Sequence, residues 1–304
     1  MRIAFITDVE GNLDFLLQSV SLSPLLTYTA AGSLNFVCPD GPDCFVFGGD
    51  VGDKGPYDVT LCKMFVDFKN RYPSRVFLIL GNRDLNKLRY TAELGPDDMK
   101  IDAASIPGPH WDPNAMTLAS YLAAHNVPDS RPNRLKYMLE HTLGCKNTFE
   151  HRRTEMARLL SRDVDGITDE EVTEHIVEDV ERGALSEFLD KGQIAVRLGD
   201  TMFVHGAIDD RTAGFIPNHD TKFEVPKVRS EGRIVEGVDE WIREINEYKS
   251  AGEEDKLAFV RCRERRITPL DRLKTRCSKR AAQNALLKTA LLAPFVRTDV
   301  PFVH

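Results

Sequence analysis

The sequence predicts a layered α/β protein, and three observations carry that reading. Short, β-rich apolar runs recur, and each ends abruptly in a polar loop. The runs are continuous rather than alternating, as in strands covered on both faces. Apolar residues at helical spacing follow several of them.

The first run, Ile3-Ala4-Phe5-Ile6, enters Thr7-Asp8-Val9-Glu10-Gly11-Asn12, and Leu13, Leu16, Leu17 and Val20 then mark a helix. The second, Cys44-Phe45-Val46-Phe47, enters Gly48-Gly49-Asp50-Val51-Gly52-Asp53, followed by Leu61, Met64, Phe65 and Phe68 on one helical face. The third, Val76 to Leu80, enters Gly81-Asn82-Arg83-Asp84, and the fourth, Met202-Phe203-Val204, enters His205-Gly206-Ala207. Ligands of such sheets bind beyond the carboxyl ends of strands, so the four loops predict one site.

The stretch 95–193 reads differently. Its start is rich in Pro and Gly (Gly95-Pro96, Pro107-Gly108-Pro109), and the rest reads as helix. Thr168 with Glu171 is a capping-box signal, and Val172, Ile176 and Val180 form the apolar face behind it. Eleven acidic residues between Asp163 and Asp190 face only Arg182, which predicts a solvated acidic face. We read this stretch as a helical cap inserted into a single domain spanning 1–304 and lying over the loop end of the sheet. Near the end, nine basic residues from Arg261 to Arg280 oppose only Glu264 and Asp271, the pattern of another solvated helix.

Bulk properties narrow the class. The 304 residues carry 40 basic and 47 acidic side chains, a net charge of −7, which argues against a nucleic-acid-binding polycation. The longest uncharged run, Phe15 to Pro39, contains Gln18, Pro24, Asn35 and several serines and makes a poor membrane span. The N-terminal apolar run is too short for a secretion signal. Six scattered cysteines without a C-x-x-C pair suit reduced thiols and a cytoplasmic protein.

Carboxylates with Asn and His on strand-end loops are what a divalent-cation site needs. Asp8 alone fits an N-cap and Asn82 alone a turn, but four such loops in order exceed what capping explains. In that order and spacing the motifs Asp8-Val9-Glu10-Gly11-Asn12, Gly49-Asp50-Val51-Gly52-Asp53-Lys54-Gly55-Pro56, Gly81-Asn82-Arg83-Asp84 and Val204-His205-Gly206 resemble those of the calcineurin-like metallophosphoesterases. The second motif looks most like the phosphoprotein-phosphatase and dinucleoside-polyphosphate-hydrolase branches. The match covers roughly residues 1–90 and 194–210.

The resemblance implies a central β-sandwich flanked by helices, with two divalent ions at one edge. Asp8, Glu10 and Asp50 fall on the positions of the first ion. Asp50 bridges to the second, which Asn82 and His205 also hold. Lys54 and Arg83 fall where phosphate is clamped, so Asp50, Arg83 and Asp84 stand as the catalytic set. Asp53 and Asp84 are placed to orient loops or cations. Mn²⁺ or Mg²⁺ suits the oxygen-rich donors, with Fe or Zn²⁺ as other members of the same chemistry. The implied reaction is attack of a metal-bound hydroxide on a phosphate monoester or phosphoanhydride of a phosphoprotein or nucleotide.

Three positions depart from the family pattern. Glu10 and Arg83 stand where histidines are expected, and no closing Gly-His-x-His is present. One account has Glu10 and Arg83 pair and exclude a metal, leaving a binding module that acts through its helical insertion. The other keeps the ions and lets Arg83 hold a phosphoryl oxygen or stabilise the leaving group. Val300 to His304 reads as a short strand ending at a histidine. His304 is expected to point toward the Asp50 and His205 loops, either as a substitute ligand or as the strand before a closing motif in a longer chain.

Overall fold

Four consecutive apolar residues, Cys44-Phe45-Val46-Phe47, are all buried, and they form the central strand of the main sheet. The computed structural model describes residues 1–106, 108, 114–209, 212–217 and 232–262, of which 251–262 by backbone alone. The basic run from Arg261 to Arg280 and the end at His304 lie essentially outside the described residues. The described residues form two compact units, Met1–Leu78 with Arg83–Gly192, and Ile79–Asn82 with the described residues from Gln193 onward.

In the first unit, β1 (Ile3–Ile6) leads into α1 (Leu13–Leu22), and β2 (Leu26–Tyr28) and β3 (Leu34–Phe36) form an antiparallel ladder. β4 (Cys44–Phe47) precedes α2 (Asp58–Arg71) and β5 (Val76–Leu78). The sheet order is β1-β4-β5, all parallel, with Ile6 opposite Phe47 and Phe47 opposite Leu78. Parallel strands put the loops after β1 and β4 at the same sheet edge. Only β4 is covered on both faces. Phe5 of β1 is 49% exposed, because an edge strand receives cover on fewer sides than a central one.

An aromatic core fixes α2 on the sheet. Phe47 stacks on Phe65 with ring centroids 4.2 Å apart, Phe45 and Phe36 meet Phe68 at 5.5 and 5.0 Å, and Phe188 meets Phe47 at 6.0 Å. Burying each such ring contributes roughly 1.5–3 kcal/mol. Leu61, Met64, Phe65 and Phe68 all face inward, as their spacing predicts.

The helices that follow are α3 (Asn82–Asn86), α4 (Arg89–Glu93), α5 (Leu118–His125), α6 (Arg131–Tyr137), α7 (Thr148–Leu160), α8 (Asp169–Arg182) and α9 (Ala184–Lys191). The Thr168–Glu171 capping box opens α8, and Val172, Ile176 and Val180 are buried. The acidic face of α8 differs from a merely solvated one. Asp169 binds Lys136 and Arg153, Glu171 binds Arg162, Glu174 binds Arg131, and buried Asp179 binds Arg152. These cations come from α6, α7 and the chain just after α7, so the charge count of the local window misses them.

The second unit is smaller. Ile79 bridges Gln193 in parallel, and β6 (Ala195–Leu198) and β7 (Thr201–Val204) form a hairpin. Its two-residue turn places Gly199 first, at φ 62°, the conformation that type II′ hairpins need there. β8 (Phe215–Pro217) pairs with β9 (Gly232–Ile234), and α10 (Val238–Cys262) closes the unit. Asn246 of α10 accepts from Ile194 N–H and donates to the Ala195 carbonyl, at 2.8 and 2.9 Å, so a helix side chain clasps the strand edge. Among the described residues no helix is long and apolar enough to cross a membrane, and Cys38, Cys44, Cys62 and Cys145 are unbridged.

Candidate metal centre

Beyond the ends of β1 and β4 the two loops remain locked together by main-chain hydrogen bonds. Gly48 N–H donates to Ile6, Asp8 to Gly49, Glu10 to Asp50, Gly11 to Val51, and Lys54 to Glu10, all at 2.8–3.0 Å. This zipper forces unusual backbone. Asp8, Glu10, Asp50 and Asp53 have φ of 52°, 47°, 58° and 102°, the left-handed region that non-glycine residues rarely adopt. Strain of this kind costs about 1–3 kcal/mol per residue and persists only where surrounding contacts over-determine it.

Two glycines make the crossing possible. A Cβ on Gly55 would lie 2.2 Å from the Gly11 carbonyl oxygen, and one on Gly11 would lie 2.5 Å from the Gly55 carbonyl oxygen. Gly11 also has φ of 80°, which glycine adopts without penalty.

Buried carboxylates hold the second loop from behind. Asp84 is fully buried and accepts from Asp50 N–H at 3.0 Å and Val51 N–H at 2.9 Å. Asp58 accepts from Asp53 N–H at 3.0 Å. Burial pushes the Asp58 carboxyl up to about 7, against the pull of Lys87 and Arg152. Lys87 Nζ lies 3.0 Å from Asp53 Oδ1. Its ammonium is held above the usual lysine range: burial opposes the charge, but Asp53, Asp58 and Asp84 outweigh it.

The helix α2 starts at Asp58 without a side-chain cap from its own first residues. Glu155 of α7 supplies it. Its carboxylate accepts from Val59 N–H, Thr60 N–H and the Thr60 hydroxyl at 3.1, 2.9 and 2.8 Å. Arg152, one turn earlier, binds Asp179 at 2.9 Å and donates to His175 Nδ1 at 3.1 Å. Burial, then the Arg152 charge, hold the His175 imidazole below its usual range. Thr148 donates its hydroxyl to the Asp53 carbonyl. Sequence reasoning does not find Lys87, Arg152 or Glu155. Each pairs with a residue distant in the chain, and charged residues in helical stretches read as surface.

At the open side, Asp50 is buried and Asp8 exposed. Glu10 Oε1 lies 2.7 Å from Lys54 Nζ and 2.9 Å from Arg83 Nε. The same guanidinium reaches Asp50 Oδ2 at 3.7 Å and Asp53 Oδ2 at 3.9 Å. The Arg83 backbone N–H donates to Asp50 Oδ1 at 2.9 Å. Arg83 is thus held by three carboxylates, while Lys54 remains half exposed. Asn82, the residue before Arg83, belongs to the second unit, where its Oδ1 lies 3.1 Å from His205 Nε2.

Residues 1–261 fit the pattern described as calcineurin-like phosphoesterase. The chain belongs to the calcineurin-like phosphoesterase family. Among solved structures, it is similar to a cold-active protein-tyrosine phosphatase of the psychrophile Shewanella sp., at 14% identity and a TM-score of 0.33. That match covers 69% of this chain and 43% of the other, so the chain spans less than half the length of that structure. No curated protein matches the chain. The parallel sheet flanked by helices agrees with the fold expected of the family, whose members bind divalent metals.

The donor chemistry supports an ion at part of this site. In the first unit Asp8 and Asp50 offer hard oxygens on loops already locked in place; in the second, Asn82 with His205 offers an amide oxygen and an imidazole. Glu10 is in a different state, its carboxylate already neutralised by two cations.

Proposed function

We propose that this chain is a divalent-metal-dependent phosphoesterase that cleaves a phosphate monoester or phosphoanhydride of a small molecule or phosphoprotein. The observation that carries the reading is the pair Asp8 and Asp50, two carboxylates on interlocked strand-end loops of a phosphoesterase family member. The ligands we assign are Asp8 and Asp50 in the first unit and Asn82 and His205 in the second, and their oxygen content favours Mn²⁺ or Mg²⁺. A divalent ion there supplies charge neutralisation and Lewis acidity toward the phosphoryl group.

The chain's own residues have separable tasks. Asp84 fixes the Asp50 backbone through two amides. Lys54, half exposed beside the site, is free to turn toward a phosphoryl oxygen. Arg83 keeps its proton: burial opposes the charge, but Asp53, Glu10 and Asp50 raise its basicity further. It therefore binds charge and does not act as general acid. With no such acid at this position, good leaving groups are favoured, and phosphoanhydrides or aryl esters should outrun serine phosphate. The unbridged cysteines suit a reducing compartment such as the cytoplasm. The helices between 95 and 193 are proposed to shape substrate access.

The test is release of p-nitrophenol from its phosphate ester with Mn²⁺, with and without chelator. Turnover abolished by chelator and by Asp50→Asn supports the reading. A second reading, a catalytically impaired binding module, draws on the Glu10–Arg83 pair. It requires that no phosphoester or phosphoanhydride tested be turned over under any divalent ion.

A further inference from the structure

The helical insertion reaches Arg83 through one irregular turn. Residues Met138–Thr142 continue α6 as a π turn, in which the Leu143 N–H passes its usual partner and donates to the Met138 carbonyl at 3.0 Å. Single π turns are poor helix geometry and recur at functional sites. The end of this turn is clamped by two arginines, one from α3 and one from α4. The buried Thr142 hydroxyl donates to the Met138 carbonyl at 2.8 Å and accepts from Arg89 Nη1 at 3.2 Å. Arg89 is itself fixed by Glu93 at 2.8 Å. The next residue, Leu143, turns its carbonyl to Arg83 Nη1, which donates to it at 3.4 Å. The chain then comes back to the second loop: Cys145 N–H donates to the Leu139 carbonyl at 2.8 Å, and the Thr148 hydroxyl donates to the Asp53 carbonyl. Asp53 Oδ2 lies 3.9 Å from the same Arg83 Nη1, which closes a ring of contacts from the π turn to Arg83 and back.

The three guanidinium nitrogens of Arg83 are used differently. Nε lies 2.9 Å from Glu10 Oε1, Nη1 is taken by the Leu143 carbonyl, and Nη2 makes no hydrogen bond among the described residues. The Asp50 and Asp53 oxygens at 3.7 and 3.9 Å are beyond hydrogen-bond contact, so they attract the charge without fixing its direction. A guanidinium held at Nε alone can still rock about that contact. A second contact at Nη1 sets its plane, and a neutral carbonyl does so without consuming the charge.

We propose that Thr142 is a positioning residue of the site: through the π turn it fixes the Leu143 carbonyl on Arg83 Nη1, so that Arg83 meets a phosphoryl oxygen through Nη2 in a preset direction. This inference rests on the phosphoesterase reading above, and it gives the insertion a task besides shaping access. A donor aimed in advance has little freedom left to lose when the ligand arrives.

The test is a mutant cycle on the full chain with Mn²⁺, read as kcat and KM for p-nitrophenyl phosphate and as Kd for inorganic phosphate. Thr142→Val keeps the side-chain shape and removes the hydroxyl, and it should raise KM and Kd roughly tenfold. Its kcat should change by less than about threefold, because an interaction that binds substrate and transition state alike is lost. Thr142→Ser, which keeps the hydroxyl, should stay near wild type. In an Arg83→Gln background Thr142→Val should add less than about twofold, because its effect passes through the guanidinium. A Thr142→Val chain that melts like the wild type and binds phosphate equally well would overturn the proposal. So would losses in Thr142→Val and Arg83→Gln that multiply, or a Thr142→Ser loss equal to that of Thr142→Val. The wild type supplies a readout that needs neither a variant nor turnover: nitrogen-15 resonance of the Arg83 guanidinium should show separate Nη1 and Nη2 signals, and one averaged signal would overturn the proposal. A wild type that neither hydrolyses p-nitrophenyl phosphate nor binds inorganic phosphate would instead overturn the phosphoesterase reading, while the nitrogen signals would still decide whether Arg83 is held.

Discussion

Glu155 caps Thr60 across 95 residues of sequence, accepting both its N–H and its hydroxyl at 2.9 and 2.8 Å. The acidic side chain sits at the positive end of α2, where the helix dipole favours it. It also ties α7 to the helix that follows the Asp50 loop. Glu155→Ala leaves two α2 amides unmet and Arg152 short of a carboxylate neighbour. It should cost about 3 kcal/mol in urea unfolding, whereas Glu155→Gln should cost about half as much. Equal, near-zero losses would mean the cap is not stabilising.

The crossing of the two loops depends on Gly55. Its missing Cβ leaves room for the Gly11 carbonyl, which would otherwise lie 2.2 Å away. Gly55→Ala should destabilise the chain by at least about 2 kcal/mol and lower Mn²⁺ uptake, because the clash is with backbone. Gly144→Ala is the control, having open space around it and a φ of 67°. It should show only the smaller cost of the left-handed backbone. A Gly55 variant no worse than this control would refute the packing argument.

Asp50→Asn should lower any metal-dependent phosphatase rate by at least about 100-fold, since it removes a negative ligand without removing bulk. Chelation of the wild type should have the same effect and be reversed by Mn²⁺. A rate within about threefold of wild type would place the chemistry elsewhere.

Asp58 makes a prediction in pH. Its carboxyl titrates at about 7 in the folded chain, chiefly through burial, against an ordinary value of 3.8. The folded state therefore holds the proton more tightly than the unfolded one. That contribution is fully present below about pH 4 and is lost as pH rises through 7. The urea midpoint should fall between pH 5 and pH 8, and Asp58→Asn should flatten the fall. A wild type and variant with parallel pH profiles would show that Asp58 is ionised throughout.

The strand-end loops were legible in the sequence because an apolar run stopping at Asp or Asn is a local signal. So were the inward face of α2 and the capping box of α8, which follow from helical spacing alone. The charges behind the loops were not. Glu155, Arg152 and Asp179 sit in helices whose composition reads as solvated, and only tertiary contact turns them inward. The pairing of Glu10 with Arg83 was one of two accounts the replacements allowed. Which account holds depends on side-chain reach, and spacing carries no such information.

The left-handed backbone at Asp8, Glu10, Asp50 and Asp53 has a kinetic consequence. The loops reach their binding shape when the protein folds, held by amides and buried carboxylates rather than by a ligand. An arriving ion therefore has little chain left to order, and the entropy lost on its capture is small. Amide exchange at Asp8, Glu10 and Gly11 should then be slow before metal is added and change little afterwards. Such a centre can trade its ion quickly without loosening, and its occupancy can follow the surrounding metal supply while the fold stays as it is.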